Sequence, residues 1–180
     1  MYGLVNRAVQ ELVIELSDEL TWETIKQAAG VDVPKFLSME PYPDEITYSL
    51  AGAACEKLEM PLDEFLTAFG RHWIMFTANE GYGPLLDAPD TDMRGFLAHL
   101  DVMHGHLALS LPELNPPTLT VENGDKDDTV LLHYHSDRLG LAPMVVGLLE
   151  GLSERFNEPC QIQHLGSPEG CVHEVFELQF

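Results

Sequence analysis

The hydrophobic pattern of this chain changes period at Asn115-Pro116-Pro117, and that change limits the folds open to it. Upstream, apolar residues recur every three to four positions, the spacing of one helix face. Val5, Ala8, Val9, Leu12, Val13 and Leu16 form one stripe; Trp22, Ile25 and Ala28 form a second, which Gly30 ends. Residues 48–58 read as a short helix. Pro61 suits a first helical position, with Asp63 and Glu64 favourable at the positive end of the helix dipole. That helix runs through Phe65, Phe69, Trp73 and Phe76 to about Asn79, and another runs from near Asp90 to the prolines. Downstream, LTV (119–121), TVLLHYH (129–135), QIQHL (161–165) and HEVFELQF (173–180) are β-rich, and a turn on Asn123-Gly124 makes the first two a hairpin. LAPMVVGLLEGLSERF places a helix over about 142–156. A helical half followed by a β-β-α-β-β half predicts an α+β fold, a helical lobe packed on a four-stranded antiparallel sheet with one long helix.

The chain has 180 residues, which suits a single domain over 1–180. We divide it at about residue 60, an N-terminal helical subdomain ahead of a second part holding the later helices and the sheet. The 45% hydrophobic content allows a sizeable core. The formal net charge of −21 argues against nucleic acid and anionic membranes, which need basic patches. Cys55, Cys160 and Cys171 are too few and scattered for a disulfide framework, so a reduced compartment fits. MYGLVNRAVQEL has no basic segment followed by an apolar core, and no run approaches a membrane span, so the expected location is cytoplasmic.

LDVMHGHLALS (100–110) carries two histidines two apart, hence on nearly opposite sides of a helix. The apolar stripe is Phe96, Leu97, Leu100, Met103, Leu107 and Leu111, and His104 lies on it. His106 points away, in line with His99. A buried histidine needs a partner. Two readings stand: a core histidine bonded to a backbone carbonyl, or a metal or cofactor ligand.

In HYHSDR (133–138), Tyr134 and Ser136 project to one strand face with Arg138 at its end, while His133 and His135 face the other way. Two hydroxyls and a planar guanidinium suit a pair of carboxylates or a phosphate; an exposed polar strand face is the plain alternative. An apolar-face histidine together with such a carboxylate anchor describes a heme pocket, which needs an axial ligand, apolar walls and a holder for two propionates.

In these segments the chain resembles the heme-nitric oxide/oxygen binding (H-NOX) domain, also found at the start of the soluble guanylate cyclase β subunit. MYGLVN, FGRHWIMF followed by EGYG, LDVMHGHL, the Pro-Pro joint and HYHSDRLGL match in order and spacing. The tyrosine-x-serine-x-arginine signature is the most specific of these. The resemblance implies heme b (iron protoporphyrin IX) between the lobes, with His104 as proximal iron ligand and Tyr134, Ser136 and Arg138 on the propionates. It implies that Pro117 presses on and distorts the heme, and that Tyr2 lies near the porphyrin edge. Val5, Trp73, Met144 and Leu148 match distal-pocket positions.

O₂-binding members of that family place a distal tyrosine early in the helix after the signature. Here Met144 stands at that position, and no tyrosine follows Arg138. The implied pocket is apolar and selective for NO, with CO accepted and O₂ excluded. The indole N–H of Trp73 is the one donor that would change this; aromatic core packing is its plainer role. The expected mechanism is release of His104 from the iron on NO binding, heme relaxation and a shift between the lobes. The chain ends at Phe180, so the expected output partner is a separate protein, by resemblance a histidine kinase or a cyclic-di-GMP enzyme. Rival readings are a zinc or redox sensor using Cys160, His164, Cys171 and His173, an O₂-binding heme protein without NO selectivity, and a heme carrier without signalling. Catalysis is not expected: no nucleophile elbow, His-Glu-x-x-His or phosphate loop is present.

Overall fold

In the computed structural model, residues 1–86, 92–126, 128–168 and 173–180 are described. Helices α1 (Gly3–Leu16), α2 (Glu19–Ala28), α3 (Asp44–Leu58) and α4 (Leu62–Thr77) come first. A π-helical turn (Ala78–Tyr82), the short α5 (Gly83–Leu86) and α6 (Met93–Ser110) follow. The second half holds β1 (Thr118–Asn123), β2 (Thr129–His135), α7 (Ala142–Phe156), β3 (Gln161–Gly166) and β4 (His173–Gln179). The strands form one antiparallel sheet in the order β1-β2-β4-β3. The α+β architecture read from the change of period is therefore the observed one.

One sheet face is the core face. Leu119, Leu132, Tyr134, Phe176 and Leu178 pack with Phe96 and Leu97 of α6 and with Val145, Leu149 and Leu152 of α7. A second core joins α1–α4 through Val9, Leu12, Trp22, Ile25, Leu50, Phe65, Phe69 and Phe76. Helix α4 serves both, since Ile74 belongs to the sheet-side core. It lies against α7 with almost nothing between them. A Cβ at Gly147 would fall 2.0 Å from the Thr67 carbonyl oxygen, and one at Gly70 would fall 2.1 Å from that of Met144. The two helices therefore touch backbone to backbone at these glycines.

Element ends differ from the sequence reading in three places. Helix α3 starts at Asp44, where Asp44 and Glu45 occupy its first turn next to Pro43. The α4 geometry stops at Thr77, and Gly81 (φ 99°) breaks the π turn that follows. Asn123 pairs with Val130 as a strand residue rather than turning the hairpin. The turn instead begins at Gly124, whose N–H donates to the Thr129 carbonyl (3.0 Å). The expected start of α6 near Asp90 lies outside the described residues; the observed N-cap is Asp92, whose carboxylate accepts the Gly95 N–H at 2.8 Å. Among the described residues no helix is long and apolar enough to cross a membrane.

Candidate cofactor site

His104 sits on α6, half-buried, while His106 and His99 are exposed as the face argument requires. His99 is satisfied locally by the Gly95 carbonyl (2.7 Å). His104 is not: its Nδ1 is buried without a hydrogen-bond partner. Burial pushes its pKa below the ordinary histidine value, against the opposing pull of the Pro117 backbone and the Asp101 carboxylate. Burial thus favours the neutral ring, the form that ligates a metal. Asp101 also accepts the Leu119 N–H (3.2 Å), tying α6 to the start of β1 beside Pro117. A half-buried imidazole with an unsatisfied ring nitrogen, whose protonation burial disfavours, fits the requirement for an axial heme ligand.

Tyr134 is buried on the core face of β2. Burial raises its phenol pKa, with Ser136 and Arg138 acting the other way, so it remains a neutral donor. Strand β2 ends at His135, so Ser136 and Arg138 lie in the turn beyond it rather than on the strand face the alternation predicts. There the Ser136 hydroxyl accepts the Arg138 N–H (3.1 Å). The Arg138 side chain donates from Nε to Asp44 (2.9 Å) and from Nη1 to the Asn115 carbonyl (2.9 Å). Asp44 also takes the N-terminal ammonium at 2.5 Å. Burial alone would raise the Asp44 pKa, but those two cations hold its carboxyl below the usual range. Tyr2 joins the same end of the molecule, its hydroxyl accepting the Glu113 N–H at 3.3 Å. An open cleft of about 480 Å³ beside Ser136 is lined also by Asn115, Pro116, Thr118 and His135.

Asp44 carried no signal in the sequence, and Asn115 and the N-terminal ammonium, noted only within the proline joint and the opening motif, were not assigned to this cluster. Asp44 is 94 positions from Arg138, and nothing in its local pattern marks it beyond a helix start. The structure makes it the carboxylate that already occupies one edge of the Arg138 guanidinium.

The four residues matched to a distal pocket stand where the two cores meet. Trp73 packs against both, Val5 and Met144 against the helical core, and Leu148 against the sheet-side core. The Trp73 ring lies between Phe69 (6.0 Å) and Phe76 (6.1 Å), the environment of a packing aromatic. Of the histidines and cysteines considered for zinc, Cys171 lies outside the described residues. Cys160 packs on the sheet-side core, where burial raises its thiol pKa. His164 pairs with Glu174 (2.8 Å) and stacks on the core residue Phe176 (4.9 Å). His173 faces the opposite side of the sheet, among His133 and His135.

The fold thus holds a half-buried histidine on α6, Tyr134, Ser136 and Arg138 at and just beyond the end of β2, and an apolar junction between two cores, the arrangement expected of the haem-NO-binding class. A family profile described as haem-NO-binding matches residues 2–164, and the chain belongs to that family. The chain is 31% identical over 158 residues (86% of its length) to soluble guanylate cyclase gcy-35 of Caenorhabditis elegans. It is 37% identical over 95 residues (53% of its length) to the guanylate cyclase soluble subunit beta-2 of Rattus norvegicus. The matches span 23% and 14% of those two proteins. The fold is that of an H-NOX protein from S. oneidensis in the Fe(II) state, with TM-score 0.89 and 20% identity over 99% of this chain and 95% of that one. It is also that of an oxygen-binding H-NOX domain described as related to soluble guanylate cyclases, with TM-score 0.83 and 20% identity over 100% and 95% of the two chains.

Proposed function

We propose that this chain is a heme-based gas sensor that binds NO and CO and excludes O₂, with His104 as the proximal ligand. The observation that carries this reading is the half-buried His104, its Nδ1 buried without a hydrogen-bond partner, on the helix that Asp101 ties to β1. Membership of the haem-NO-binding family supports it. Heme b, when bound, supplies a ferrous iron with one open face for a diatomic gas. Tyr134, Ser136 and Arg138 would hold its propionates, with Tyr2 at the same end and Pro117 pressing on the ring. Val5, Trp73, Met144 and Leu148 would wall the gas-binding side. Met144 and Leu148 offer no hydrogen-bond donor, and Trp73 is packed between two phenylalanines. O₂ acquires partial negative charge on binding and needs such a donor far more than NO does.

His104 is the element that moves. Heme iron would be held by His104, and a His104 released from it when a gas binds would no longer restrain α6. The lobes then rearrange across the Asn115-Pro116-Pro117 joint, a two-state element biased by a ligand. The altered surface would be read by a signalling protein, a histidine kinase or a cyclic-di-GMP enzyme being the partners the resemblance implies.

The test is His104→Gly prepared with and without imidazole. Heme retained only when imidazole is supplied, with the absorption of an imidazole-ligated ferrous heme, is the expected result. Full heme content without imidazole, with an unchanged ferrous spectrum, would overturn the assignment.

A further inference from the structure

The outer face of the sheet carries three of the eight histidines in the chain. The register sets His135 opposite His173 and places His133 two pairs along, on the same face, between Thr120 and Val175. The alternation that buries Tyr134 turns all three outward. We propose that His133 and His173, joined by His135, form a binding site for one divalent transition-metal ion of the zinc class, with Glu122 orienting His133 from behind. The site is separate from the heme reading and does not depend on it.

Spacing is the first argument. His133 Nδ1 and His173 Nε2 are 3.4 Å apart. That is long for a hydrogen bond between nitrogens. It matches the edge of a tetrahedron whose centre is about 2.0–2.1 Å from each nitrogen, the Zn–N distance. The second argument is the back of the ring. His133 Nε2 is buried without a hydrogen-bond partner, and the Glu122 carboxylate is the nearest acid, at 3.6 Å. A carboxylate behind a ligating imidazole fixes its tautomer and raises its basicity.

The third argument is the closeness of all three rings. The His135 ring stacks on His173 at 4.3 Å, and His133 lies 5.5 Å from His173 between centroids. Among the described residues no three side chains of ligand type yet surround one point. The pair His133–His173 is preformed, and exposed His135 completes the set by turning about its side-chain bonds. Water fills the remaining position. Imidazole donors without thiolate suit zinc or copper rather than magnesium or calcium. The net charge of −21 favours cation capture in general.

The experiment is calorimetric titration of the tag-free full chain, stripped with chelator and reduced, with zinc chloride. A parallel cobalt titration is followed by absorption. One ion per chain is expected. His133→Ala and His173→Ala should each weaken binding at least tenfold, and Glu122→Gln about tenfold. The paired change of His99→Ala with His106→Ala should leave it unchanged. His135→Ala, on an exposed side chain, should weaken binding while keeping the fold, so the result stands even if a neighbouring variant unfolds. Wild-type binding in the combined His133→Ala and His173→Ala variant would overturn the proposal. So would a thiolate-to-cobalt charge-transfer band, which would place the ion on cysteine.

Discussion

Asp44 shows how a single residue without a sequence signature can organise this site. It accepts the N-terminal ammonium and the Arg138 Nε, and so joins α3, the chain start and the turn after β2. Its carboxyl titrates below the ordinary range in the folded state, so the unfolded chain binds the proton more readily. The stabilisation is complete above the unfolded pKa of about 3.9 and is lost as pH falls through the lower folded value. Asp44→Asn should lower stability at pH 7 by about 1 kcal/mol, a figure kept small because the pair is partly exposed. Urea unfolding at pH 7 and again near pH 3 checks this: the difference between variant and parent should shrink at the lower pH. His104 is the opposite case. Its inward face was readable from the helix period alone, whereas its missing partner was not, because an unmade hydrogen bond depends on what the fold brings near.

At the scale of elements, the glycines of α4 and α7 set the distance between the helices that carry Trp73, Met144 and Leu148. Gly70 and Gly147 look in the sequence like weak points in two helices, since glycine is a poor helix former. In the fold they are where the two backbones meet. Gly147→Val should cost about 3 kcal/mol through overpacking, a fall in Tm of roughly 6–12 °C. Thermal unfolding followed by circular dichroism measures it. Helix and strand identities were legible from the periods of three to four and of two. The ends at Thr77, Asn123 and Asp44 were not, because a glycine at positive φ, a cross-strand pair and an acidic first turn after Pro43 mark them. Met144, on the first turn of α7, tests the gas reading directly. Met144→Tyr should raise O₂ affinity about ten- to hundredfold, the worth of one hydrogen bond to a charged acceptor. Titration of the ferrous variant with O₂, followed by absorption, reads that change.

For the whole molecule, two cores meet at α4, and the residues matched to a gas pocket lie at their junction. The change of period at Asn115-Pro116-Pro117 was enough to place a helical lobe before a sheet lobe. Motif order was enough to name the family, which the match over residues 2–164 bears out. What the linear pattern could not carry was the closure of the end of the molecule around Arg138. Tyr2, Asp44, Asn115 and Arg138 come from four distant segments and meet only in the folded chain. The most direct measurement is the absorption spectrum of the reduced protein, taken anaerobically, then with NO, and in a separate sample with air. A five-coordinate ferrous heme whose spectrum shifts with NO, and which forms no O₂ complex in air, is the expected result. A stable O₂ complex would contradict the gas assignment, and a protein that takes up no heme on reconstitution would contradict the role given to His104.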